Sequence, residues 1–186
     1  MGDGGVGERF RSRSFETFRE TPATKPAVDL CKRFCAAVKR DPKVPGLLLK
    51  GNCGTGKTHL AVAILRETAE AGILGMFVVV PDLIAKMLAS FDAKDGKAGA
   101  LVETAKSVPL LVLDDLGAGS PKPWVVELVY VLINHRYEHM LPTIITTNYD
   151  GKQLDVVFGR RIVSRLTEMT MPVNIRAEDY RMRGVC

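Results

Sequence analysis

No stretch of this 186-residue chain approaches the run of about 20 apolar residues that a bilayer-crossing helix needs, and its opening residues are polar and charged. A membrane role is therefore not expected, and a cytoplasmic location is. The four cysteines, Cys31, Cys35, Cys53 and Cys186, fall at no paired ligand spacing and have no histidine cluster beside them, so no zinc site is expected. Cys31 and Cys35, four apart on an expected helix, read as buried or half-buried thiols. Also missing is an arginine-rich segment between the third and fourth apolar runs that could close over a small phosphate acceptor. Residues 125–140 (VVELVYVLINHRYEHM) read instead as an apolar helix, which argues against a small-molecule kinase.

What is present begins with Gly51–Thr58, GNCGTGKT, two glycines five apart followed by Lys and Thr. Glycines at 51, 54 and 56 let the backbone curl so that its N–H groups face inward at a helix N-terminus, a cradle for phosphate oxygens. Gly51, Asn52, Cys53, Gly54, Thr55, Gly56, Lys57, Thr58 and the following His59 are the expected cofactor contacts. Lys57 would reach the outer phosphates of ATP and Thr58 the Mg2+ ion. The flanks fit: GLLLK (46–50) is a short apolar run, and 59–72 places Leu60, Ile64, Leu65 and Ala69 on one helical face. The alternative, a glycine-rich surface turn with an incidental lysine, leaves those flanks unexplained.

Three further segments carry chemistry. PLLVLDDLG (109–117) reads as a buried parallel strand delivering Asp114 and Asp115 at its carboxyl end, where open α/β sheets bind ligands. Asp114 would hold Mg2+ through its water shell, and Asp115 would polarise the attacking water. PTIITTN (142–148) ends in Asn148, an amide able to orient a water or touch the terminal phosphate; a plain turn over Asn148, Asp150 and Gly151 is the alternative. GRRIVSRL (159–166) puts Arg161 and Arg165 on one face of a short helix, from which an arginine could reach a neighbouring site. A solvated basic face is the other reading of these arginines.

Taken in order, GNCGTGKTHLAVAI, LLVLDDLG, the TTN strand and R-I-V-x-R-L resemble the DnaC/IstB family of AAA+ ATPases, the bacterial helicase loaders and transposition helpers. The similarity runs from about Arg9 to the end, and FRSRSFETF (10–18) resembles the family's lead-in beside the adenine. The resemblance implies Asp114 as the magnesium aspartate, Asp115 as the catalytic carboxylate, Asn148 as the first sensor, and Arg165 before Arg161 as the arginine finger acting on a neighbouring protomer. It implies a P-loop α/β core with a five-stranded parallel sheet in the order 5-1-4-3-2, consistent with the alternation of GLLLK, MFVVV, LLVLD, TIITT and MPVNI with helical stretches. One domain is expected, with residues 1–42 as lead-in and first helix and 43–186 as the ATPase core. Neither a helicase-gripping N-terminal domain nor a C-terminal helical lid is expected, although Tyr180 and Arg181 match the family's ending.

The formal charge of +5 suits a polyanionic partner. Residues 82–107 read as two helices broken at 95–99; by analogy with related initiators, Lys86, Lys94, Lys97 and Lys106 would touch single-stranded DNA, with solvated lysines as the alternative. Three uses of ATP remain open: an oligomeric DNA-linked ATPase that loads a replicative helicase or assists a transposase, an ATP-ordered DNA-binding module with negligible hydrolysis, and, least supported, the kinase.

Overall fold

The apolar runs become five short strands in the computed structural model, which describes residues 6–93, 96–119, 121–177 and 179–180, the side chain of Asp92 excepted. They are β1 (Gly46–Lys50), β2 (Gly75–Val79), β3 (Leu110–Asp114), β4 (Thr143–Thr147) and β5 (Thr170–Asn174). All neighbours pair in parallel in the order β2-β3-β4-β1-β5, the expected 5-1-4-3-2 arrangement read from the other edge. β3 and β4 are buried along their whole length, as strands covered on both faces must be.

Side chains alternate across the sheet and so divide the core in two. Leu47 and Leu49 join α1 (Lys25–Val38) and α2 (Lys57–Glu70) on one face, together with Cys31 and Cys35. Leu48, Leu111, Leu113 and Ile145 pack on the other face against α3 (Val80–Ala93), α4 (Lys97–Ser107), α5 (Pro123–Glu138), α6 (Gly151–Phe158) and α7 (Arg160–Met169). Burial pushes both thiols of α1 up to about 12, so they remain protonated and unreactive. No helix of the described residues is long and apolar enough to cross a membrane.

Two elements depart from the sequence reading. In α2 every residue from Leu60 to Leu65 is buried, because the helix lies between the sheet and α1 and needs more than one apolar stripe. Ala69 is exposed, and Thr68 is fully buried in its stead, its hydroxyl donating to the Ile64 and Leu65 carbonyls. The turn-like cluster at Asn148–Gly151 opens α6: Asp150 Oδ1 accepts from Gln153 N at 2.8 Å and Gln153 Oε1 from Asp150 N at 2.9 Å, a capping box. The two helices expected over 82–107 are present, but α3 ends at Ala93 and α4 already begins at Lys97, earlier than the expected break at 95–99 allows; Lys94 and Asp95 are outside the described residues, as are Arg181, Arg183 and Cys186.

Among the described residues the largest fully buried side chain is that of Arg136, on α5. Its Nε donates to Thr143 Oγ1 (2.8 Å), its Nη1 to the carbonyls of Ala105 (2.9 Å), Lys106 (3.2 Å) and Val108 (2.8 Å), and its Nη2 to that of Pro142 (2.8 Å). Three of these oxygens belong to the end of α4, where helical carbonyls lack intrahelical donors and the dipole is negative. Burial lowers the guanidinium to about 9, still charged at neutral pH.

At the β5 edge, Ile175 N donates inward to Lys50 O at 2.7 Å. Alternation then turns the nitrogen of Pro172, which has no hydrogen to donate, toward the outer edge.

Candidate nucleotide site at the carboxyl edge of the sheet

Parallel strands bring their carboxyl ends to one edge, so the segments after β1, β3 and β4 meet there. The loop after β1 turns through two left-handed glycines, Gly54 (φ 72°) and Gly56 (φ 97°), before α2 starts at Lys57. A Cβ on Gly56 would strike the Phe18 ring, and one on Gly54 the Asp179 carboxylate, so the lead-in and the chain after β5 both press on this loop. Buried Thr55 ties the loop to itself, Oγ1 donating to Asn52 O at 2.9 Å.

Lys57 is 7% exposed. Its ammonium donates to the carbonyls of Gly51 (2.9 Å) and Asn52 (2.7 Å) and to Asn148 Oδ1 (2.6 Å). Thr58 Oγ1 donates to both oxygens of Asp114, at 3.0 and 3.1 Å. Thr146 Oγ1 donates to Asp114 Oδ1 at 2.7 Å and accepts from Asp115 N at 2.9 Å, so one hydroxyl of β4 orients both adjacent aspartates. Burial raises the Asp114 carboxyl above its ordinary range and the Asp115 charge adds to that; bonds from Thr146 and Thr58 and the Lys57 charge oppose it. Asp115 sits in the left-handed region (φ 63°), an uncommon place for a side chain other than Asn or Asp, and is half-buried.

His59 fastens the lead-in to this loop. Its Nε2 lies 2.8 Å from Ser14 O and 3.2 Å from Thr17 Oγ1, and its ring meets Phe18 edge-on at 5.1 Å. Burial lowers its pKa and keeps the imidazole neutral near pH 7, with the Ser14 carbonyl opposing. The result is a cavity of about 360 Å3 walled by Phe10, Phe18 and Tyr180, floored by Gly54, Lys57 and Thr58, and reached by Asp115 and Asn148. Tyr180 closes its side by donating from N to Gly54 O (3.2 Å) and from OH to Arg19 O (3.3 Å).

The sequence reading missed part of this wall. Arg9, Arg13 and Arg19 line the same cavity, adding cationic groups to the wall formed by the lead-in. Their clustering near the chain start was legible and suited the nucleotide, a neighbouring protomer or a polyanionic partner alike; which of them line the cavity was not. Thr146 was also missed, although it lies on β4 only two residues before Asn148.

Gly51, Asn52, Cys53, Gly54, Thr55, Gly56, Lys57, Thr58, His59, Asp114, Asp115 and Asn148 thus gather at one edge of the sheet. Arg161 and Arg165 do not line the cavity of their own chain. Both are on α7, Arg161 exposed and Arg165 partly covered by α5. Lys86 and Lys97 are exposed, while Lys106 pairs with Glu103 at 2.9 Å. Cys53 is exposed on the phosphate loop, whereas Cys31 and Cys35 are buried. Maleimide should therefore modify Cys53 rapidly in the native protein, and saturating ATP should slow that reaction at least about tenfold, read by intact mass. Equal rates with and without ATP would separate the loop from the nucleotide.

The sequence profile of the IstB-like ATP binding proteins matches residues 35–185. The chain belongs to that family. Among curated relatives, the replicative helicase loader DnaI of Bacillus subtilis is 29% identical over 161 residues, 80% of this chain and 51% of DnaI. An insertion-sequence ATP-binding protein of Geobacillus stearothermophilus is 28% identical over 142 residues, 74% of this chain and 55% of that one. The chain thus spans about half the length of each. A crystal structure of the DnaC helicase loader superposes with a TM-score of 0.82 at 32% identity, over 91% of this chain and all of that one. The fold is the AAA+ P-loop fold, and this IstB-like chain is related to the DnaC and DnaI helicase loaders.

Proposed function

We propose that this chain hydrolyses ATP to ADP and phosphate as a DnaC-like helicase loader that oligomerises and binds single-stranded DNA. The observation that carries the catalytic part is the hydrogen-bonded cluster of Lys57, Thr58, Asp114, Thr146 and Asn148, with Asp115 held at its rim. Water would attack the γ-phosphorus as the bond to the bridging oxygen of ADP breaks, and its proton would pass to Asp115, whose backbone is anchored by Thr146. Lys57 would exchange its carbonyl partners for phosphate oxygens, and Asn148, already its partner, would orient the water. Hard oxygen donors paired as in Thr58 and Asp114 suit Mg2+, which would neutralise phosphate charge. A finger from the next subunit, Arg165 or Arg161, would complete the site.

The partner reading rests on the relatives: a replicative helicase follows from DnaI and DnaC, and single-stranded DNA would meet exposed Lys86 and Lys97 in the cytoplasm. The insertion-sequence relative favours a second reading, a transposase helper, which co-sedimentation with a helicase or with a transposase would separate.

Steady-state turnover measured against protein concentration, with and without single-stranded DNA, is the test. Activity should rise faster than linearly, respond to DNA and vanish in Lys57→Ala and in Arg165→Ala. Mixing those two inactive proteins should restore it, because one supplies the finger and the other the site. Slow, linear, DNA-blind turnover would instead favour a module in which ATP only orders DNA binding.

A further inference from the structure

Arg165 is held within its own chain by one face of α5. Its Nε donates to Asn134 Oδ1 at 2.7 Å, its Nη2 lies 3.4 Å from Tyr130 OH, and its Nη1 donates to Arg161 O at 3.1 Å. The guanidinium lies 5.0 Å from the Tyr130 ring centre and 5.6 Å from that of Tyr137. Positions 130, 134 and 137 follow the four-then-three spacing of a single helical face. Asn134 has its amide orientation fixed as well: Nδ2 donates to Glu138 Oε1 at 2.9 Å, which turns the carbonyl oxygen toward Arg165.

The chemistry of this arrangement is informative. Every contact Arg165 makes among the described residues is to a neutral group: an amide, a phenol, a carbonyl and two ring faces. A guanidinium binds a phosphate more strongly than any of these, through two charge-assisted hydrogen bonds. Carboxylates stand one residue removed, Glu138 bonded to Asn134 and Glu168 to Tyr137, so the direct seat is neutral and would give the arginine up when a phosphate is offered.

We propose that Tyr130, Asn134 and Tyr137 form a dock that holds Arg165 inside its own subunit and yields it to the phosphates of the neighbouring subunit on assembly. The three are positioning residues, and the inference rests on the finger reading given above. Undocking is then part of the cost of completing each site, so the strength of the dock sets the concentration at which the site forms.

The mixing experiment supplies the test. Arg165→Ala protein, which has an intact phosphate loop, is kept at fixed concentration, and the Lys57→Ala finger donor is titrated into it while turnover is followed. Donors that also carry Asn134→Ala or Tyr130→Leu should reach half-maximal turnover at concentrations lower by roughly five- to thirtyfold, the range expected for losing one or two contacts of this kind. A donor carrying Asn134→Asp, which gives the arginine an anionic partner, should need more protein. Opposite shifts at one position are not produced by a residue that merely packs α5 against α7, whose replacement would lower the melting temperature and weaken the donor either way. If the parental mixture recovers turnover but Asn134→Ala and Asn134→Asp move it in the same direction or not at all, the dock is wrong and the finger stands. If the parental mixture does not recover, both fall.

Discussion

Asp115→Asn should lower ATP turnover by about 10²–10⁴-fold, the usual contribution of a general base, while ATP affinity changes by no more than about twofold. The substitution isolates the chemistry because the backbone is spared. Asp115 occupies the left-handed region, where Asn is at least as well tolerated as Asp, and its anchor to Thr146 runs through the backbone N–H, which Asn keeps. The amide is nearly the same shape but cannot take a proton from water. Single-turnover hydrolysis and titration with a fluorescent ATP analogue read the two effects separately. Near-native turnover would remove Asp115 from the mechanism, and loss of nucleotide binding would make it structural.

Arg136→Met should destabilise the fold by on the order of 3–5 kcal/mol, a loss belonging to the largest class for single substitutions. Methionine fills much of the volume but donates nothing, so the carbonyls of Ala105, Lys106, Val108 and Pro142 lose a donor together with Thr143 Oγ1. At this size roughly 1 kcal/mol moves the melting temperature by about 2–4 °C, so a fall near 10 °C is expected in a thermal melt. Arg136→Lys should recover little, because a single ammonium cannot reach the spread of oxygens that the planar fork spans. A melt within about 2 °C of native would mean that water satisfies those oxygens equally well.

The sequence displayed the sheet and the phosphate chemistry because both are written locally. A strand followed by GNCGTGKT, or by two aspartates, specifies its own turn, and parallel pairing then brings Lys57, Thr58, Asp114 and Asn148 to one edge. The missed features depend on packing between distant segments. Nothing around Arg136 distinguishes it from a surface arginine, since its acceptors come from α4 and from the segment before β4. Arg9, Arg13 and Arg19 reach the nucleotide cavity because His59 and Tyr180 fold the lead-in across it, contacts that span more than forty residues. The start of α6 was legible: Asp150 followed three residues later by Gln153 is a capping signal that the nearby Asn and Gly obscured.

Pro172 bears on how copies of this chain can meet. An exposed strand edge is a template for endless, nearly irreversible strand addition, the route to fibres. With no hydrogen on its outward nitrogen, β5 interrupts that ladder midway. The self-association proposed above would thereby be steered toward helical faces and loops, whose contacts come apart as readily as they form, rather than toward a strand ladder that cannot be dismantled.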